Sequence, residues 1–129
     1  MLYLFSQSYV DFLIYLVNIA LQCGAKCIGV NNRNLHTFKL DLDTTKRAIE
    51  SVQRAGKTWR PTALSLDQPD VTIAALSGIT VRNDILSFKE LGVSCCLIGE
   101  TLMKSNNPAG TICDLLGKIC REFLLHTYL

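Results

Sequence analysis

Small, amide and charged residues follow each of three short apolar runs in this 129-residue sequence. Such residues suit an anion, because amide and guanidinium groups donate hydrogen bonds and glycine leaves backbone N–H groups accessible. The second and third runs each pass through a glycine into a predicted helix, where free N–H groups favour a phosphate. The candidate binding residues are Asn31, Arg33, Ser77, Gly78, Gly99 and Glu100. Their types and positions predict a phosphate-binding site.

The elements that must position these residues alternate along the chain. Three apolar runs are typical of buried strands: Lys26–Asn31, Val71–Leu76 and Val93–Ile98. Helices are predicted over residues 1–22, Asp43–Arg54, Arg82–Leu91 and Pro108–Leu125. The order αβαβαβα with three apolar strands is typical of an α/β fold with a parallel sheet. Ligands bind such sheets at the carboxyl ends of the strands, where the candidate residues stand.

Composition excludes several classes of protein. Thirteen basic and 11 acidic residues leave a net charge of +2, without the basic face typical of nucleic-acid binding. Six cysteines form no C-x-x-C pair and only two histidines are present, so the spacing predicts no metal site. The mostly apolar surroundings of these cysteines predict buried, reduced thiols, as in a cytoplasmic protein.

The N-terminal apolar run, Val10–Leu21, carries Asp11 and Asn18. It is shorter than the roughly 20 residues that span a bilayer. No Lys or Arg precedes Lys26, so the basic region of a signal peptide is missing. We therefore predict a helix that a partner surface covers, because the helix is apolar nearly all round. The alternative to such a covered helix is membrane attachment through residues 1–21.

Two interpretations of the first strand end stay open. Asn31 either contacts a hydroxyl, carboxylate or phosphate of a substrate, or is satisfied within a loop network. Arg33 either contacts that substrate or pairs with Asp41 or Asp43 on the same loop. Both interpretations use the same residue types, so the sequence leaves both open.

Three segments carry a family resemblance: Gly24–Leu35, which continues through residues 36–45, Ala75–Ile79 and Leu97–Lys104. In this order they closely resemble indole-3-glycerol-phosphate synthase over roughly residues 20–117, while residues 1–19 match poorly. That family is a (β/α)₈ barrel of tryptophan biosynthesis. It closes and decarboxylates a carboxyphenylamino-deoxyribulose phosphate, with loss of CO₂ and water.

The resemblance implies one incomplete TIM-barrel segment over residues 1–129 that carries strands six to eight, with an insertion loop at residues 57–70. It implies substrate contacts at Asn31, Arg33 and Ser77. It also implies phosphate contacts, largely through backbone N–H groups, at Ser77, Gly78, Gly99 and Glu100. Leu76 stands where many members have a glutamate.

The family's general-acid lysine, second catalytic lysine and catalytic glutamates come from strands one to five. Lys26, Lys39 and Lys104 do not match those positions. The resemblance therefore implies no catalytic residue in this sequence, no cofactor or metal, and a carboxy-lyase fragment that is inactive alone. We expect a truncated piece of a longer gene product. The alternative is a non-catalytic half-barrel that associates with a partner half or with itself.

Overall fold

The helices and strands of the computed structural model follow the predicted alternation, and the structure describes residues 2–60 and 69–117. The elements are α1 (Leu2–Gln22), β1 (Cys27–Asn31), α2 (Asp43–Arg54), β2 (Thr72–Leu76), α3 (Arg82–Glu90), β3 (Cys95–Leu97), α4 (Glu100–Met103) and α5 (Pro108–Leu116). The short helix α4 is additional to the predicted elements. The predicted continuation of the last helix to Leu125, and most of the insertion loop, lie outside the described residues.

The three strands form one parallel sheet in the order β1-β2-β3, which confirms the predicted α/β fold class. Asn31 pairs with Leu76, and Leu76 pairs with Leu97. The last residues of the three strands therefore form one row across the sheet. Because the strands are parallel, the polar residues that follow them emerge at the same edge.

One face of the sheet packs against the helices. Val30 of β1 and Ile73 of β2 are buried in a cluster with Val52 of α2. A second cluster joins Ala75 of β2 to Phe88 of α3. Burying each large aliphatic side chain in these clusters stabilises the fold by about 1.5–3 kcal/mol. The two clusters hold β1 and β2 in the register that positions their polar ends.

The other face of the sheet is not covered by any part of the chain that the structure describes. Alternate strand residues point to it, and the side chain of Leu97 is 64% exposed there. Cys27 and Cys95 are exposed on this face, and Cys23 is exposed after α1. The prediction of buried, reduced cysteines is wrong in its burial for these three, since no helix covers their positions, while their thiols are free. For Cys113 the predicted reduced state is wrong, because Cys113 is disulfide-bonded.

Helix α1 packs on α2 through Val17, which is buried, and Leu21. Its other side presents an apolar stripe of four exposed residues: Phe12, Tyr15, Leu16 and Ile19. The spacing i, i+3, i+4, i+7 places these residues on one face of the helix. The surface predicted to cover this stripe is not among residues 2–60 and 69–117. No helix in those two ranges has the length and apolarity that crossing a bilayer requires.

Candidate functional site

Asn31 ends β1 with its side chain on the uncovered face of the sheet. Its Oδ1 accepts a hydrogen bond from the backbone N–H of Arg33 at 3.0 Å, which closes an Asx turn. Its Nδ2 donates to no acceptor within the two described ranges. The Oδ1 thus belongs to the loop network, one of the two open interpretations, and substrate contact through the Nδ2 stays a prediction.

Asn32 is the residue that holds the site together. Its side chain is only 1% exposed. The Nδ2 donates to the carbonyl oxygen of Ser77 at 3.2 Å, and the Oδ1 accepts from the hydroxyl of Thr45 at 2.8 Å and from its N–H at 3.3 Å. The backbone N–H of Asn32 donates to the carbonyl of Leu76 at 2.9 Å. One buried amide therefore joins the ends of β1 and β2 to the start of α2.

Sequence reasoning placed its emphasis on Asn31 and missed this role of Asn32. A signal was available, because successive strand residues point to opposite faces. Of two consecutive asparagines at a strand end, one must point toward the helices. A buried amide there requires hydrogen-bond partners. Its partners could not be named from the sequence, since Ser77 lies 45 residues away.

Ser77 and Gly78 follow β2 in a left-handed backbone conformation, with φ values of 67° and 82°. A Cβ at Gly78 would lie 2.9 Å from Cδ2 of Leu42 and 3.0 Å from Cδ2 of Leu40. The turn therefore passes directly against the leucine side chains of the β1–α2 loop, and its positive φ favours glycine. The backbone N–H of Gly78 donates to no acceptor in the described part of the chain. It is available to an anion.

Gly99 and Glu100 come one residue after the end of β3, and Gly99 has a φ of −114°, outside the left-handed region. Their N–H groups have no acceptor among the described residues, while the carbonyl of Gly99 accepts from the N–H of Met103 at 2.9 Å. The hydroxyl of Thr101 donates to the carbonyl of Ile79 at 2.6 Å and joins this turn to the one after β2. The four residues predicted to bind phosphate thus stand on two adjoining turns at the same sheet edge.

A three-residue ion-pair network crosses this edge from β1 to β3. The Nη2 of Arg33 lies 2.5 Å from Oε2 of Glu100, and Nζ of Lys104 lies 2.6 Å from Oε1 of the same carboxylate. The Nη1 of Arg33 also donates to the carbonyl of Phe38 at 3.3 Å. The network brings the guanidinium that follows β1 to the carboxylate that follows β3.

The carboxylate partner of Arg33 is therefore Glu100, and the pairing of Arg33 with Asp41 or Asp43 is not found. Asp41 pairs instead with Arg47. The Oδ1 of Asp41 also accepts from the N–H of Asp43 at 3.1 Å, at the start of α2. The carboxylate of Asp41 is thus engaged at the start of α2, and Arg33 reaches across the sheet to Glu100 instead.

The charges of the network keep Glu100 ionised. The hydrogen bond from Lys104 lowers the pKa of the Glu100 carboxyl, and the positive charges of Lys104 and Arg33 lower it further. A carboxylate repels a phosphate, so the side chain of Glu100 does not favour anion binding while its N–H does. The three side chains together carry one net positive charge.

Asp84 stabilises the turn that leads from β2 into α3. Its carboxylate accepts from the N–H groups of Thr80 at 2.8 Å and Val81 at 3.0 Å. Partial burial of Asp84 opposes ionisation, but the hydrogen bonds from Thr80 and Val81 outweigh it and lower the pKa. Asp84 thus anchors the far side of the Ser77–Gly78 turn.

In residues 2–60 and 69–117, no three His, Cys, Asp or Glu side chains are grouped to hold a metal ion.

Consecutive βα units with their polar strand ends gathered at one edge define a parallel α/β protein of the barrel type. The family model for indole-3-glycerol phosphate synthase matches residues 16–115. The chain belongs to the indole-3-glycerol phosphate synthase family, and its three parallel strands form part of a TIM barrel.

Similar proteins bear matching names. The chain is 41% identical over 106 residues to the tryptophan biosynthesis protein TRP1 of Phytophthora nicotianae, a match that covers 82% of this chain and 19% of that protein. It is 42% identical over 97 residues to the multifunctional tryptophan biosynthesis protein of Schizosaccharomyces pombe, covering 75% and 11%. It is 40% identical over 100 residues to the indole-3-glycerol phosphate synthase of Dehalococcoides mccartyi, covering 78% and 33%. The matched part is thus no more than about a third of each relative.

Proposed function

We propose that this chain supplies the strand-six to strand-eight part of an indole-3-glycerol-phosphate synthase barrel and binds the phosphate of its substrate. The observation that carries the proposal is the free N–H groups on two adjoining turns, after β2 and β3, at one sheet edge. Family membership supports the phosphorylated nature of the ligand. The proposed substrate is carboxyphenylamino-deoxyribulose phosphate, whose indole ring closes with loss of CO₂ and water.

Each candidate residue has a proposed role that follows from its donors. The backbone N–H groups of Ser77, Gly78, Gly99 and Glu100 hold the phosphate, since converging N–H groups form an anion-binding concavity. The Nδ2 of Asn31 and the guanidinium of Arg33 contact the remainder of the substrate. Arg33 suits a carboxylate or phosphate because its planar donors match two oxygens at once.

The 129 residues by themselves are proposed to bind substrate without turnover. Proton transfer needs an acid and a base within hydrogen-bond reach of the reacting atoms. At the described sheet edge, Glu100 and Lys104 are bonded to each other, and Leu76 supplies no ionisable group. The proposed location is the cytoplasm, in keeping with a role in amino-acid biosynthesis.

An indole-fluorescence assay tests this proposal. The chain is assayed alone and after mixing with a separately expressed barrel part that carries strands one to five. We expect turnover only in the mixture, and a loss of it when Asn31→Ala is introduced. Glu50→Gln, at a half-buried position of α2 where Glu50 pairs with Arg54, is the control and leaves turnover unchanged. Turnover by the chain alone would contradict the proposal, as would a mixture that associates yet stays inactive.

A second candidate function is a non-catalytic half-barrel that associates with a partner half or with itself. The observation that favours it is the exposed stripe Phe12, Tyr15, Leu16 and Ile19, together with the uncovered sheet face. Sedimentation velocity of the chain, alone and with the strand one to five part, tests it. If the two parts associate without turnover, and Leu16→Asp weakens their association, this function is favoured over the enzyme.

A further inference from the structure

The carboxylate of Glu100 stands between two cations in a turn whose backbone suits an anion. We infer that Glu100 is an internal counter-anion: it occupies Arg33 in the empty site and so excludes small free anions from the phosphate-binding edge. The inference rests on the proposed phosphate site and names what determines its ligand specificity. It follows from the geometry of the network, in three steps.

The first step is that Glu100 already fills the place of a ligand. Its Oε2 lies 2.5 Å from Nη2 of Arg33, the contact that a bound phosphate or carboxylate oxygen would make. Its Oε1 is taken by Lys104 at 2.6 Å. A free anion that approaches Arg33 meets one full negative charge and an occupied donor. It must displace that charge before it gains any contact to Nη2.

The second step is that Arg33 and Glu100 can separate while each keeps a hydrogen-bond partner. Arg33 is held in place by its second contact, from Nη1 to the carbonyl of Phe38 at 3.3 Å. Glu100 keeps its contact to Lys104, which directly follows α4. The side chain of Arg33 is 25% exposed, and its guanidinium has further N–H groups that can face a ligand.

The third step is that only a ligand with other contacts repays this exchange. Inorganic phosphate gains little at Arg33, because the contact that it forms with Nη2 only replaces the one that Glu100 loses. A larger phosphorylated ligand can keep its phosphate on the N–H groups after β2 and β3 while its remainder reaches Arg33, whereas inorganic phosphate reaches only one of the two places. Discrimination thus arises from a built-in repulsion against the smaller ligand. Because Lys104 and Arg33 lower the pKa of Glu100, the repulsion persists at neutral pH.

The test is an NMR titration with inorganic phosphate at constant ionic strength and neutral pH, followed at the backbone amides of Gly78 and Gly99. Glu100→Gln is expected to tighten phosphate binding about fivefold, the size expected for removing one unit charge at contact distance in water. In an Arg33→Met background the same substitution is expected to give a smaller gain, because the competition for Arg33 is absent and only the direct repulsion by Glu100 is relieved.

Asp41→Asn is the matched control. Asp41 and Arg47 are 51% and 28% exposed, close to the 54% and 25% of Glu100 and Arg33, so the same charge is removed from an equivalent pair. Its phosphate affinity is expected to stay within about twofold of the parent chain.

The outcomes separate the inference from the proposal beneath it. If the parent chain binds phosphate and Glu100→Gln leaves this affinity unchanged or lowers it, the inference is overturned. The phosphate site itself is then retained. An equal gain from Asp41→Asn would also overturn it, since the gain would then reflect net charge alone. Amide shifts that do not respond to phosphate in either the parent chain or Glu100→Gln would overturn the phosphate site and the inference together.

Discussion

The side-chain amide of Asn32 donates to the carbonyl oxygen of Ser77 at 3.2 Å, across the ends of two neighbouring strands. The bond lies between a buried side chain and a backbone in the left-handed conformation, with φ of 67° at Ser77. A non-glycine residue in this conformation costs about 1–3 kcal/mol and persists only when its surroundings hold it. Asn32 is the group that holds this turn.

Asn32→Leu is therefore expected to lower the free energy of unfolding by about 1–3 kcal/mol, because it leaves the carbonyl of Ser77 and the hydroxyl of Thr45 without their buried partner. Phosphate-induced shifts at Gly78 weaken in the same variant. Urea unfolding, followed by circular dichroism, measures the change in the free energy of unfolding. Asn83→Ala, an exposed asparagine of α3, is the control and changes stability by less than about 0.5 kcal/mol. If Asn32→Leu lowers the free energy of unfolding no more than the control does, Asn32 does not hold this turn.

Gly78→Ala and Gly24→Ala separate backbone strain from steric contact. Both glycines have positive φ, 82° and 74°, so each substitution carries a strain of about 1–2 kcal/mol. Only at Gly78 does the new Cβ meet side chains, with Leu42 Cδ2 at 2.9 Å, whereas Gly24 has nothing within 4 Å. We expect Gly78→Ala to cost about 0.5–1.5 kcal/mol more than Gly24→Ala in the same urea experiment, because the side chains of Leu40 and Leu42 must leave their rotamers. Equal losses would show that the turn does not press against the β1–α2 loop.

Asp84 is expected to make stability depend on pH in the acid range. Its pKa is lowered in the folded chain, so the unfolded chain takes up a proton first as the pH falls. The stability that the carboxylate contributes is present above its unfolded pKa, about 3.9, and is lost as the pH falls through the lower folded value. Unfolding free energies measured from pH 6 to pH 2 should therefore fall more steeply for the parent chain than for Asp84→Asn. Parallel curves would contradict the assignment.

Trp59, the single tryptophan of the sequence, reports on the end of α3. Its Nε1 donates to the carbonyl of Leu91 at 2.9 Å, beside a contact from Arg60 to the carbonyl of Glu90 at 2.6 Å. Trp59→Phe keeps an aromatic ring and removes this donor, so we expect a loss of about 1 kcal/mol in unfolding free energy. Tyr15→Phe on the exposed face of α1 is the control and has no measurable effect. If Trp59→Phe changes the unfolding free energy no more than this control does, the indole N–H does not stabilise α3.

Part of the site was accessible from local pattern. Strand ends that become polar or glycine-rich predicted the edge at which Asn31, Ser77 and Gly99 emerge, because parallel strands end together. The Asx turn of Asn31 is likewise local, since its partner is two residues away. These features depend on short-range backbone geometry and alternation, which the order of residue types determines.

The sequence by itself determined the order of helices and strands, the polar edge and the family, because periodicity and turn chemistry act over a few residues. Only the tertiary structure decided that Arg33 pairs with Glu100, 67 residues away, and not with the nearer Asp41. It also decided that Asn32, rather than Asn31, joins the strand ends, and that Cys27 and Cys95 lie on an uncovered face. Such pairings depend on strand order, register and which face the helices cover, and these are set by contacts between distant parts of the chain.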